Sequence, residues 1–191
     1  MSWEKDLEEL KKRAELAKEM GGIERIAKHY ARGRLTVRER IDQLLDKDSF
    51  HETGEITGKV TYDENGEIQE FVPANFVFGR GKVDGREVVV AGDDFTVRGG
   101  AADARIGNKS LYSLKLAEHL RLPLINLVDG SGGGGSVKTL ETMGATYVPG
   151  LPSWQNIVRL LSMVPVVGAC MGSVAGLGSA RVVASHFSIM V

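Results

Sequence analysis

The sequence predicts an α/β fold with a leading helical segment, and three observations carry that prediction. Apolar side chains in the first fifty residues recur at helical spacing. From residue 51 the pattern changes to short, unbroken apolar strands separated by helical stretches. Glycine clusters then follow three of those strands. Alternation of this kind indicates β-α-β units whose strands are covered on both faces.

From Trp3 to Met20 the apolar positions Trp3, Leu7, Leu10, Ala14 and Ala17 fall on one helical stripe. Glu4, Asp6, Glu8 and Glu9 lie towards its start, where the helix dipole favours acids, and Gly21-Gly22 is the expected stop. Ile23 to Ala31 reads as a second helix. Thr36-Val37-Arg38-Glu39 fits a capping box and opens a third, with Val37, Ile41, Leu44 and Leu45 on its buried face. Val60 to Tyr62 and Asn75 to Val83 read as strands. Asp84-Gly85 is a two-residue hairpin signal leading into Glu87 to Ala91. Beyond it the reading is helix from Ala101 to Leu122, strand from Leu124 to Val128 and helix from Gly150 to Met163. Strand from Val164 to Cys170, helix from Gly176 to Ala184 and a buried strand from Phe187 to Val191 complete it. Stopping inside an apolar strand, the sequence is expected to be part of a longer protein.

Composition removes several classes of function. The chain has 191 residues, with 24 basic against 25 acidic side chains and a formal net charge of −1. A near-neutral balance argues against a nucleic-acid binder that neutralises many phosphates. Cys170 is the only cysteine, which excludes a disulfide framework and most thiolate metal sites. The longest apolar run, Met163 to Met171, is far short of the ~20 residues of a membrane span. Met1 to Asp6 has no apolar core of a secretory signal. The expected setting is the reducing cytoplasm, with no membrane partner, no nucleic acid and no metal.

The glycine clusters are Gly99-Gly100-Ala101, then Gly130 to Ser136, then Gly172 to Gly178. Glycine between a strand and a helix lets backbone N–H groups approach a ligand closely, holding phosphate or an oxygen that gains negative charge. A phosphate-binding P-loop fails here because Val137, not glycine, precedes Lys138-Thr139. The dinucleotide fingerprint fails because Gly79-Arg80-Gly81 precedes a hairpin rather than a helix. Taken alone, the four-glycine run also fits a flexible loop. His29, His51, His119 and His186 show no metal spacing, Cys170 reads as a packed thiol, and Asp93-Asp94 as turn chemistry.

Several segments together resemble the acyl-CoA carboxyltransferase subunits of biotin-dependent carboxylases. They are Gly21 to Ile26, Gly33-Arg34-Leu35-Thr36-Val37-Arg38-Glu39-Arg40-Ile41, and Leu44 to Asp46 with Ser49 to Glu52. Gly85-Arg86 with Val88 to Val90, Asp94-Phe95-Thr96-Val97 with Gly99-Gly100, Lys109, and Pro123 to Ile125 before Asp129 continue the series. Pro165 to Met171 and Gly172 with Ala175-Gly176 complete it, so nearly the whole chain is covered in order.

The resemblance implies a crotonase-like superhelix, with residues 1–50 as a helical segment and 51–191 as an incomplete N-terminal carboxyltransferase domain. It implies transfer of a carboxyl group from carboxybiotin, carried on a separate carrier protein, to the α (or vinylogous γ) carbon of an acyl-CoA. Partners would be the biotin carboxylase and biotin carrier subunits, in a homo-oligomer of dimer pairs within a hexamer. Gly176 and Leu177, with Gly132 and Gly133 beside them, would hold the thioester oxygen. Lys109, Gly99, Gly100, Ala101 and Arg34 would bind the CoA. Packing of a helix on a strand is the other account of Gly176, and plain solvation the other account of Lys109 and Arg34. Leu177 stands where the family has glycine, and Gly133-Gly134-Gly135-Ser136 departs from the family's loop. The alternatives are a sodium-pumping decarboxylase subunit running the transfer in reverse, or a non-catalytic acyl-CoA-binding module.

Overall fold

Helix α1 (Glu4–Lys18) rests on a hairpin of β2 (Gly58–Tyr62) and β3 (Ile68–Pro73). Arg13 binds Glu9 and Tyr62, and the Tyr62 hydroxyl donates to Glu9 at 2.7 Å, pinning the helix to β2. In this computed structural model the described residues are 3–101, 108–130, 137, 140, 141, 144, 145 and 154–191. The predicted α1 stripe is buried only at its end: Ala17 is covered, whereas Trp3, Leu7 and Leu10 are exposed. Helix α2 (Ile23–Tyr30) follows a turn in which the Gly21 N–H donates to Thr96 Oγ1 at 2.9 Å. A Cβ on Gly21 would lie 2.1 Å from the Thr96 carbonyl oxygen, so this close docking requires glycine.

Helix α3 (Val37–Leu44) begins with the expected capping box: the Thr36 hydroxyl accepts from the Glu39 N–H, and Glu39 accepts from the Thr36 N–H. Its buried side chains are Val37, Arg40 and Ile41, with Leu44 half-buried. Strand β1 (His51–Glu52) leads to the central sheet, whose order is β1-β4-β5-β6-β7-β8. The other members are β4 (Phe76–Val83), β5 (Arg86–Asp93), β6 (Leu124–Gly130), β7 (Val166–Val174) and β8 (Phe187–Met190). Strands β1, β4 and β5 pair antiparallel, and β5 to β8 pair parallel. At the β4–β5 turn Asp84 and Gly85 have φ of 49° and 77°, the left-handed pair a two-residue hairpin needs. Asp46 accepts from both of their N–H groups.

Among the described residues the parallel crossovers carry α4 (Lys109–Leu120), α5 (Trp154–Leu161) and α6 (Leu177–Val183). Alternation along the strands gives two cores. Phe76, Phe78, Val89, Ala91 and Leu124 meet α4 and α5 on one face, through Leu114, Ala117, Ile157 and Leu160. Val77, Val88, Val90, Leu127 and Ala169 meet α3 on the other. Each parallel strand lies one place further along the sheet, so strand and helix wind as a superhelix.

Four expectations are corrected. Ala101 is not helical, and α4 begins at Lys109 after Asn108. The β2–β3 hairpin takes in a segment with no clean alternation, which is why β3 was invisible in the pattern. Strand β7 runs on through Gly172 to Val174 instead of turning at Gly172, because Val174 still pairs with Gly130. Strand β8 is exposed along its whole length rather than buried.

Candidate functional site

The carboxyl ends of β5, β6 and β7 converge where residues of all three glycine clusters meet. Arg98, Gly99 and Gly100 have successive φ of 50°, 63° and 66°, a left-handed run that folds this turn back on β6. A Cβ on Gly100 would lie 2.4 Å from the Asp129 carbonyl oxygen, and one on Gly130 2.4 Å from the Gly99 carbonyl oxygen. The two backbones therefore touch because neither carries a side chain. On the far side the Ala175 N–H donates to the Gly130 carbonyl at 3.3 Å, and a Cβ on Gly178 would meet that same carbonyl at 3.2 Å. Backbone contact thus runs without a break from Gly99 through Gly130 to the start of α6.

Two arginine–carboxylate pairs hold these ends from opposite faces of the sheet. Arg40 of α3 donates from Nη1 to Asp129 Oδ2 at 2.7 Å and from Nη2 to the Met171 carbonyl at 3.2 Å. Arg181 of α6 pairs with Asp93 Oδ2, which also accepts from the Asp129 N–H at 3.2 Å. Asp129 is fully buried, and its Oδ1 meets no donor among the described residues. A Cβ on Gly172 would sit 2.6 Å from that oxygen, so only glycine fits at this point of β7. Nearby, buried Asp94 accepts from the Thr96 N–H and hydroxyl, yet burial still raises its pKa above the usual carboxylate value.

Gly176 stands immediately before α6 with φ 58° and ψ −124°, a backbone state that side chains of L-residues disfavour. This is a reason for glycine that neither ligand approach nor helix packing supplied. Gly176 is exposed and Leu177 half-buried; among the described residues neither N–H meets an acceptor, as befits a helix start. Gly132 and Gly133 lie outside the described residues.

Lys109 is nowhere near a solvated surface residue. It is 6% exposed, its ammonium 3.5 Å from Glu52 Oε1 and 5.9 Å over the Phe78 ring. Burial lowers its pKa, with Glu52 acting in opposition. Arg38 binds the same Glu52 with both Nη atoms, at 2.6 and 3.3 Å. Lys109 also edges a cavity of about 540 Å³ bounded by Thr53, Tyr112 and Leu116. Arg34 is half-buried, 5.7 Å over the Phe95 ring, with Nη1 directed at the same point beside Gly172 as Asp129. Gly99, Gly100 and Ala101 form the turn, where the Ala101 carbonyl accepts from Asn75 Nδ2 at 2.8 Å. Gly99, Gly100, Gly176, Leu177 and Arg34 thus share one end of the sheet. Lys109 lies apart from them, beside Glu52.

Sequence reasoning gave no role to Arg40, Asp129 and Arg181, and it read Asp93 as turn chemistry, whereas Asp93 pairs with Arg181 and accepts from the Asp129 N–H. Arg40 had a signal, since it lies three residues after Val37 on the buried face of α3, and a buried arginine needs a carboxylate. Nothing local named Asp129 as that partner.

A carboxyl transferase domain model matches residues 28–191. The chain belongs to the carboxyl transferase domain family. It is 30% identical to the propionyl-CoA carboxylase carboxyltransferase subunit of Haloferax mediterranei, covering 100% of this chain and 36% of that protein. It is 35% identical to a probable biotin-dependent acyl-coenzyme A carboxylase beta2 subunit of Mycobacterium tuberculosis, covering 84% of this chain and 29% of the relative. The chain therefore spans about a third of the length of the curated relatives it matches. Transcarboxylase 12S, solved as a hexamer with methylmalonyl-coenzyme A bound, superposes with a TM-score of 0.73 at 27% identity, over 100% of this chain and 36% of that one. The carboxyl transferase fold here is crotonase-like, as the winding of β5 to β8 indicates. Among the described residues no helix is long and apolar enough to cross a membrane.

Proposed function

We propose that this chain supplies the acyl-CoA side of a biotin-dependent acyl-CoA carboxyltransferase. The observation that carries the reading is the start of α6, where the exposed Gly176 turn leaves the N–H groups of Gly176 and Leu177 without acceptors among the described residues. Removing a proton beside a thioester creates an enolate, whose oxygen needs donors already in place. Two backbone N–H groups at the head of a helix meet that need without reorganisation. Arg40, Asp129, Asp93 and Arg181 act at one remove, fixing the strand ends from which the turn is hung. Carboxybiotin would supply the carboxyl group when its carrier docks. The proposed partners are a biotin carrier with its biotin carboxylase, and further copies of the chain in a homo-oligomer.

The full-length protein, given free biotin and methylmalonyl-CoA, is expected to release propionyl-CoA by reverse transfer. Within it, Leu177→Pro removes one donor at the first helical position, which proline tolerates. Turnover should fall by about 10²–10³, while Leu177→Ala, which keeps the N–H, stays within about tenfold of the parent. Equal losses in the two variants would assign the position to packing. Binding of acyl-CoA without any transfer in either direction would leave the non-catalytic module as the correct reading.

A further inference from the structure

Lys109 is a buried ammonium with donors to spare. An ammonium has three N–H donors. Among the described residues its hydrogen-bond partner is Glu52 Oε1 at 3.5 Å, the long limit of such a contact. Glu52 is better satisfied elsewhere, because both Nη atoms of Arg38 bind it. Glu55, the other carboxylate whose charge acts on Lys109, is itself paired with Lys18 at 3.3 Å. Two carboxylates therefore face three cations, and one positive charge is left over beside an ammonium that is almost wholly buried. Burying a charge without a good acceptor is costly.

The surplus charge lies on the wall of a cavity. Phe78, Tyr112, Leu116 and Leu120 give this space of about 540 Å³ an apolar lining, and Thr53 and Thr57 carry hydroxyls beside it. Its volume falls within the range of about 300–1,000 Å³ usual for small-molecule sites. None of the described lining residues is acidic, and the exposed Lys115 and His119 complete the lining. Tyr112 is 55% exposed, so the cavity is open to solvent. Lys109 is also the first residue of α4, whose N-terminal end adds positive potential there.

We infer that this cavity binds a monocarboxylate with an apolar tail, its carboxylate on Lys109 Nζ and its tail along Tyr112, Leu116 and Leu120. One surplus charge suits a singly charged head. The carboxylate takes the donors that Glu52 leaves idle, in charge-assisted bonds of about 2.7–2.9 Å. The tail adds affinity in proportion to the apolar area it covers, which inorganic anions could not do. The site stands apart from the Gly176 turn, and the inference does not rest on the proposed function.

The test is calorimetric titration of the full-length protein at neutral pH with octanoate, its neutral twin octanamide, and acetate. Octanoate should bind with a Kd at or below about 1 mM. Octanamide should bind about tenfold more weakly or worse, for want of the charge, and acetate should give no heat at the same concentrations, for want of the tail. Lys109→Met keeps the length of the side chain and removes the ammonium. Octanoate affinity should then fall by about tenfold or more, while octanamide shifts by less than about twofold. Tyr112→Glu, at an exposed position, sets a carboxylate in the wall and should weaken octanoate by about tenfold, with octanamide changed by less than about threefold. Octanoate should raise the melting temperature of the parent and of neither variant. If Lys109→Met does not fold, Tyr112→Glu decides alone. Equal affinities for octanoate and octanamide, octanoate binding that survives in the folded variants, or no binding to the parent would each overturn the assignment. Displacement of octanoate by CoA, which carries phosphates and no carboxylate, would return Lys109 to the CoA site and refute a separate one.

Discussion

At the scale of single residues, the buried charges decide most. Asp129 is buried with one oxygen on Arg40, and among the described residues its other oxygen meets no donor. Arg40 is therefore its one hydrogen-bonded cation among those residues. Arg40→Met should cost on the order of 3–5 kcal/mol in denaturant unfolding, since it strands a buried carboxylate, and adding Asp129→Asn should restore much of the loss. Asp94 behaves differently. Its folded pKa is raised by burial, so the folded state holds the proton at pH values where the unfolded state has released it. Stability from this group falls as pH rises from the unfolded carboxylate pKa through the raised folded value. Asp94→Asn keeps an acceptor for Thr96 without the buried charge, so the variant should exceed the parent in stability at neutral pH. That advantage should vanish on acidification; unfolding curves with a pH-independent gap would refute the account. The sequence marked Asp94 as turn chemistry, which it is, because the Asp-x-Thr hydrogen bonds are local. It could not mark Lys109 as buried, since the residue that encloses it, Glu52, is 57 positions away.

At the scale of elements, local signals were read correctly wherever the deciding contacts were local. The capping box at Thr36 and the Asp84-Gly85 hairpin depend on neighbours within a few residues, and both formed where the sequence placed them. Strand β7 was cut short because Gly172 looks like a turn in sequence. In the fold it is a strand residue kept small by Asp129 of the neighbouring strand. The same long-range logic governs α6. A seven-residue helix has little stability of its own, so its position is set by what it touches. Arg181 ties it to Asp93 at the end of β5, and the Asp93 carboxylate also holds the Asp129 N–H of β6. Arg181→Met should therefore misplace the Gly176 turn while the sheet survives. In the full-length enzyme we expect kcat to fall about tenfold or more with KM for acyl-CoA changing much less, the pattern of a lost transition-state contact. A rise in KM alone would mean that α6 serves ground-state binding.

At the scale of the whole molecule, the two faces of the sheet are covered unequally. The face packed by α4 and α5 is closed from β4 to β7 and α6 continues it over β8, whereas among the described residues α3 on the other face covers β4 to β7 and stops short of β8. Ser188 donates to the Val182 carbonyl of α6, so Phe187 and Ile189, one residue to either side, face away from that helix. They are 64% and 41% exposed, and β8 pairs with β7 alone among the described strands. Among the described residues one edge and one face of β8 are uncovered, and in a chain of these 191 residues alone an apolar strand so placed is a template for pairing with another chain. Neither property was legible in the sequence, where Phe187 to Val191 looks like any strand of a parallel core. What covers a strand depends on the elements beside it, and the apolar run does not encode them. The 191-residue chain is accordingly expected to self-associate through β8, visible as a rise of weight-average mass with concentration in sedimentation equilibrium. Ile189→Lys places a charge on the open face and should weaken that association by about tenfold or more, equivalent to roughly 1.4 kcal/mol. The control is Val158→Lys, an exposed apolar position on α5 far from β8 in sequence, which should leave the association in place. Equal effects from the two substitutions would show that general charge, and not the β8 edge, sets the association.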